Sequence, residues 1–327
     1  MIRRKVGVVC GGYSSEHKIS LQSAETVFSN LDRNKWEAFL IIIEKSKWTG
    51  KDDKGNIYEV SKGNLKLTSN GKTIKIDLIF NLIHGSLGEN GQLAALCEIL
   101  DIPLSSCDSY SAALTFNKRD CLSVLREWKI PTAKYFTIDK DDDIDIDLII
   151  KKLGLPCFVK ANRSGSSFGI FKVYDKINLL PSIKEAFKYD TQLIIESNLN
   201  GVEVSVGTAR YENEIQVFPI TEIKPNNDFF DYAAKYEGQS EEITPARIEK
   251  SLEKKLVDLS KKIYLKLGLK GFVRTEFIIV DKIPHILEVN SVPGMTEKSI
   301  IPQQINAMKM DLSDFLSKIL IQALEQK

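Results

Sequence analysis

Apolar residues recur along this chain at two spacings, and the spacing changes at glycines. Residues 5–10 form a short apolar run that breaks at Gly11-Gly12, and residues 19–31 follow with helical spacing. Strand, glycine turn and helix make the repeating unit of open α/β sheets. Residues 38–43 read as a second strand. Residues 46–76 read as a small hairpin excursion, with Asn70-Gly71 as a type I′ turn between 64–68 and 73–76. A buried strand over 78–83 ends at His84-Gly85, and a helix is expected over 92–100. From Ser109 the character changes. One helix is expected over 110–128, with strands at 157–161, 170–174, 193–199, 202–208 and 217–220. Amphipathic helix is expected over 254–267 and a closing helix over 312–326. Between them, strands 272–280 and 285–290 are joined by a tight connection at 281–284.

Composition narrows the class. A chain of 327 residues with ordinary globular composition is long enough for two or three domains. Formal net charge is +1, from 45 basic and 44 acidic residues, which gives no support for a nucleic-acid or anionic-membrane surface. The apolar run at 6–10 is too short for a signal-peptide core, and no apolar stretch approaches the roughly 20 residues of a spanning helix. The five cysteines are odd in number and lack CxxC spacing, which suits a reduced cytosolic protein and argues against zinc.

Candidate chemistry concentrates in a few places. Side chains alternate along a strand, so Arg274 and Glu276 share one face of the first hairpin strand, and Glu288 and Asn290 one face of the second. If the strands pair, two carboxylates, an amide oxygen and a guanidinium meet on one surface. Close carboxylates repel, and a hard cation such as Mg²⁺, which takes oxygen ligands and keeps positions for phosphates, resolves that. An exposed charged hairpin is the plainer alternative. The Pro293-Gly294 turn after it frees backbone N–H groups to face an anion. Lys160 stands on a strand that enters the small-residue loop 162–169, which can close over a polyphosphate or be a simple hairpin loop. Glu16 sits where the first strand meets the first helix, as a ligand-binding acid or as a cap. His84 ends a strand beside a glycine-rich turn. Gly71-Lys72-Thr73 imitates the end of a P-loop, but Lys66 stands where the first glycine is needed, and no GxGxxG is present. The six aspartates of 139–147 read as a solvated stretch, and residues 229–236 with 241–248 as a lid.

Seven ordered stretches, among them GGYSSEHKISLQSA, IHGSLGENGQL, LGLPCFVKANRSGSSFG, GFVRTEF and LEVNSVPGMTEKS, resemble the D-alanine–D-alanine ligases of the ATP-grasp superfamily. The resemblance spans nearly the whole chain. It implies an open, Rossmann-like α/β domain over 1–110, a central ATP-grasp lobe over 111–208 and a C-terminal lobe over 209–327. It implies ATP as co-substrate, with Lys118, Lys160 and Lys235 on its phosphates, Ser166 and Ser167 in the phosphate loop, Glu196 and the backbone near Leu199 on adenine, and Glu203 on ribose. Glu276, where the family often has Asp, Glu288 and Asn290 match its ligands for two Mg²⁺ (or Mn²⁺) ions. Two D-alanines are the implied substrates. Glu16 would hold the first ammonium, Ser299 would meet the second carboxylate, and His84 would line the pocket. Arg274 and the Gly294 N–H would stabilise an oxyanion, while Glu16, Ser166 and Tyr236 would tie loop, lid and first domain together. A cytoplasmic homodimer serving peptidoglycan synthesis is also implied. Of the rivals, a D-alanine–D-lactate ligase is disfavoured by the Lys235-Tyr236 pair, another ATP-grasp ligase by Glu16 and Ser299, and an inactive ATP-binding regulator by the intact Arg274, Lys160 and metal set.

Overall fold

A computed structural model describes residues 3–165, 168–225 and 240–326. The first sheet holds β1 (Arg4–Gly11), β2 (Trp36–Ile43), β3 (Trp48–Asp52), β4 (Ile57–Val60), β5 (Leu67–Ser69), β6 (Lys72–Ile74) and β7 (Leu78–Asn81), in the order β6-β5-β4-β3-β2-β1-β7. β1 runs parallel to both β2 and β7, and residues 6–11 and 78–81 are buried throughout, as expected of strands covered on both faces. β3 to β6 form the antiparallel excursion, closed by the type I′ turn with positive φ at Asn70 and Gly71. Gly11 ends β1 at φ +92°, where a Cβ would stand 2.5 Å from the Ile43 carbonyl oxygen, so the turn into the helix His17–Asn30 requires glycine.

The second sheet has the antiparallel order β10-β9-β11-β8, from β8 (Tyr135–Asp139), β9 (Cys157–Ala161), β10 (Ile170–Val173) and β11 (Gln192–Ser197). The helix Lys176–Ala186 packs on it through Leu179, Ile183 and Ala186. That helix was not expected, because Pro181 inside it masks the period. The third sheet runs β15-β14-β12-β16-β17, with β13 beside β12. Its strands are β12 (Val202–Tyr211), β13 (Glu214–Val217), β14 (Thr221–Pro225), β15 (Ser240–Ile243), β16 (Phe272–Val280) and β17 (Ile283–Asn290).

Four expectations need correction. Of the strand expected at 217–220, Val217 ends β13 and 218–220 are the gap before β14, since the positive-φ pair Glu212-Asn213 turns the chain back into a β12–β13 hairpin first. Residues 241–243, expected within the lid, belong to β15, which pairs with β14. The single helix over 110–128 is two, Ser109–Phe116 and Lys118–Glu127, broken where Asn117 leaves helical geometry and caps the second by accepting from Asp120 N. The break expected at residue 208 also falls inside β12, whose partners all belong to the third sheet. We place the boundary between lobes at the turn 198–201.

The first and third sheets share a core. The helix Leu312–Glu325 puts Phe315 against Tyr211, Phe218 and Phe272, while Val6, Val8 and Phe80 pack from the first sheet. All five cysteines are free and buried, and burial pushes the Cys10 thiol up to about 12. Among the described residues no helix is long and apolar enough to cross a membrane.

Candidate active site

The hairpin β16–β17 is the centre of the site. Its two-residue turn has positive φ at Asp281 and Lys282, and in a regular hairpin from that turn Glu276 would face Leu287. Instead the register shifts after Phe277↔Ile286. Leu287 is the extra residue of a β-bulge, and beyond it Glu276 pairs with Glu288 and Arg274 with Asn290. The bulge is what brings both carboxylates to one face. Like charges directly opposite each other destabilise a sheet unless countered. Here the Arg274 guanidinium forms an ion pair with Glu276 Oε1, and Lys118 Nζ stands 3.3 Å from Glu288 Oε2. Glu276 Oε1 is nevertheless buried with no hydrogen bond among the described residues.

Lys118 opens its helix and also donates to the Ser164 carbonyl at 2.7 Å, so one ammonium ties the phosphate-loop candidate to the hairpin. Lys160, on β9, donates to Glu196 Oε2 at 2.7 Å. Burial opposes the charge on Lys160, but Glu196, with Glu288 and Glu203 adding, holds its pKa above the ordinary lysine value. Glu196 is only 3% exposed, and its Oε1 lacks a hydrogen-bond partner among the described residues. A buried acceptor so placed suits a donor on a ligand, such as an exocyclic amine. Glu203, on β12, lies near enough for its charge to act on Lys160, and Leu199 is half-buried in the turn between lobes.

The first domain supplies the other wall. Glu16 precedes the helix His17–Asn30 but makes no side-chain cap. Its carboxylate lies instead so close to Gly165 that a Cβ there would come within 2.6 Å of Oε2, which joins the first domain to the loop 162–169. His84 is buried, with Nδ1 2.9 Å from the Val292 carbonyl and Nε2 3.4 Å from Ser23 Oγ. Burial holds its pKa below the ordinary histidine value against the raising effect of Glu16, so it serves as a neutral ring braced on the 291–295 turn. The Ser299 hydroxyl accepts from Thr296 N at 3.1 Å, and Gly294 packs against it.

Arg274, Gly294 and Ser299 share the wall of a cavity of about 1010 Å³. Ser166, Ser167, Lys235 and Tyr236 lie outside the described residues. Sequence reasoning missed Glu89, whose Oε2 accepts from Gly85 N at 2.7 Å, and Ser23, which holds both His84 and Met295 N. Ser20 and Ser23 among the apolar positions of one helix face were the available signal for the latter.

A metal fits this donor set. Two carboxylates and an amide on one face of the hairpin are hard oxygen ligands. Among the described residues no group of three or more His, Cys, Asp or Glu side chains is placed to hold a metal, so these side chains supply only part of a shell.

Two sheets facing each other across lysines and carboxylates, with a separate α/β domain closing one end, define an ATP-grasp enzyme, an ATP-using ligase. The family descriptions "D-ala D-ala ligase N-terminus" and "D-ala D-ala ligase C-terminus" match residues 5–107 and 124–321. The chain is 49% identical to a D-alanine–D-alanine ligase of Flavobacterium johnsoniae over 96% of its length and 97% of that protein. It superposes on the VanG D-Ala:D-Ser ligase from Enterococcus faecalis with a TM-score of 0.87, at 31% identity, covering 98% of this chain and 100% of that one. A D-alanine–D-alanine ligase from Bacillus anthracis complexed with ATP gives 0.79 at 25% identity, covering 99% and 98%. The chain belongs to the D-alanine–D-alanine ligase family.

Proposed function

We propose that this chain joins two D-alanines into D-alanyl-D-alanine, spending ATP and releasing ADP and phosphate. The observation that carries the reading is the bulged hairpin, which sets Arg274, Glu276, Glu288 and Asn290 on one face between Lys118 and the cavity of Gly294 and Ser299. A carboxylate is a poor electrophile, so ATP phosphorylates the first D-alanine, and the amine of the second attacks the acyl phosphate. Lys118 and Lys160 draw the phosphates into line. Glu196 accepts from adenine beside Leu199, and Glu203 accepts from ribose. Glu276, Glu288 and Asn290 would hold two Mg²⁺ (or Mn²⁺), which when bound neutralise charge on the phosphates. Glu16 receives the first ammonium. Arg274 and the Gly294 N–H face the oxyanion of the tetrahedral intermediate, Ser299 meets the second carboxylate, and neutral His84 shapes the pocket. Ser166, Ser167, Lys235 and Tyr236 keep the loop and lid roles implied by resemblance. The assignment extends to a cytoplasmic homodimer that supplies peptidoglycan precursors.

The test is phosphate release from ATP and Mg²⁺ with D-alanine alone, with product mass, repeated with added D-lactate. D-alanyl-D-alanine with stoichiometric phosphate supports the reading. A dominant depsipeptide near neutral pH moves the assignment to the lactate ligase, and ATP binding without product leaves an inactive nucleotide-binding protein.

A further inference from the structure

The cavity that holds Arg274, Gly294 and Ser299 continues between the helix His17–Asn30 and residues 296–303. Three carboxylates line it, Glu25, Glu242 and Glu297. Glu25 and Glu297 are exposed, but Glu242, on β15, is half-buried and anchored. Its Oε2 accepts from Gln303 Nε2 at 2.5 Å, and the same nitrogen donates to the Lys298 carbonyl at 2.9 Å. Gln303 stands in the first turn of the helix Ile300–Ala307, which begins right after Ser299. The carboxylate is therefore tied to the element that carries the expected second-substrate contact. Burial raises the Glu242 pKa, while the Gln303 hydrogen bond and the Arg274 charge oppose that.

We propose that Glu242, held by Gln303, is a specificity-determining residue for the second, acceptor substrate. It admits an acceptor that brings a nitrogen and disfavours one that brings only a hydroxyl. The proposal rests on the ligase reading above. A D-amino acid and a D-hydroxy acid carry the same carboxylate into the cavity, where Arg274 and Lys298 attract it but also repel an ammonium, so these cations favour the hydroxy acid and Glu242 offsets them. The amino acid enters as a neutral zwitterion and the hydroxy acid as a net anion. A fixed, half-buried carboxylate penalises only the anion, and for charges roughly 12 Å apart at an effective dielectric of about 20 the discrimination is about tenfold. Specificity then comes from a repulsive element as well as from attraction.

The experiment is a competition between D-alanine and D-lactate as acceptors, at one fixed pH with saturating ATP and Mg²⁺, with dipeptide and depsipeptide quantified by mass. Glu242→Gln removes the charge and keeps an acceptor for Gln303. The preference for D-alanine is expected to fall roughly tenfold through the KM of the acceptors, with the KM of ATP and of the first D-alanine unchanged, while Glu242→Asp retains the preference. An unchanged ratio, or equal losses with both acceptors, overturns the proposal and makes Glu242 a structural residue. Glu242→Ser, neutral and smaller, gives the same readout if the Gln variant is insoluble. If the unaltered chain makes D-alanyl-D-alanine and only the ratio fails to move, the fault lies with this proposal alone. If it makes none, the functional reading falls and takes this one with it.

Discussion

At the scale of single residues, the contact between Glu16 and Gly165 carries the most information. Gly165 has a φ outside the left-handed region, so the backbone tolerates alanine, but the added Cβ would meet the Glu16 carboxylate at 2.6 Å. Gly165→Ala is expected to raise the KM of the first D-alanine several-fold, with ATP affinity nearly unchanged. An equal rise in both, measured by steady-state kinetics, would place Glu16 away from the amino acid. Arg274→Ala tests the opposite end, with kcat expected to fall about 10²–10³-fold and ATP affinity to change little. Parallel losses would sink the oxyanion assignment. Glu89 offers a pH test. Burial, with the Glu16 charge adding and the Gly85 N–H opposing, raises its carboxyl to about 8. The folded chain then keeps a proton that the unfolded chain releases near the ordinary glutamate value, so stability drops as pH rises from about 4.5 towards 8. Glu89→Gln keeps an acceptor for Gly85 and removes the titration. Its melting temperature should vary less across that window, and equal slopes for both proteins would count against a buried neutral Glu89.

At the scale of elements, a cap and a bulge place the charges. Asn117 caps the helix Lys118–Glu127 by accepting from Asp120 N at 3.1 Å, and it also accepts from Asn162 Nδ2 at 2.8 Å, in the strand end that leads into the phosphate loop. Asn117→Ala is expected to cost about 1–2 kcal/mol in denaturant unfolding and to raise the KM of ATP, because Lys118 loses the turn that orients it. A stability loss with an unchanged KM would show that Lys118 is held by Ser164 and Glu288 alone. Asparagine is a residue type that favours caps, yet the buried positions 112, 115, 121, 122 and 125 run on across it, and the sequence on its own reads as one helix. The bulge at Leu287 left no such trace.

At the scale of the molecule, the chain's last helix fastens the first sheet to the third. Phe315 has ring centroids 5.7 Å from both Phe218 and Phe272, and it is fully buried. Phe315→Ala is expected to destabilise the chain by about 3–5 kcal/mol, and ATP with Mg²⁺ should recover only part of the lost melting temperature, since the proposed nucleotide site lies between the second and third sheets. Full recovery would mean that the first domain docks without this core. In the proposed mechanism the first domain's wall of the cleft would also help exclude water, which the acyl phosphate needs to survive.

Local order was legible along most of the chain. Strands β9 and β16, the Asn70-Gly71 turn and the strand–glycine–helix start follow from side-chain period and from the backbone demands of glycine, and these act over a few residues. Strand alternation and loop chemistry singled out Lys160, Arg274, Glu276, Glu288 and Asn290, and the family resemblance added Lys118 and Glu196. Alternation put each hairpin pair on one face of its own strand, but it could not say that the two faces coincide. That depends on a one-residue bulge, and a shift of one residue turns every side chain to the other side of the sheet. Glu242 with Gln303, Ser23 with His84, and Gly165 with Glu16 are separated by 61, 61 and 149 residues, and only the folded chain brings them together. Which groups the sequence could supply was decided by local chemistry, and which of them meet was decided by packing.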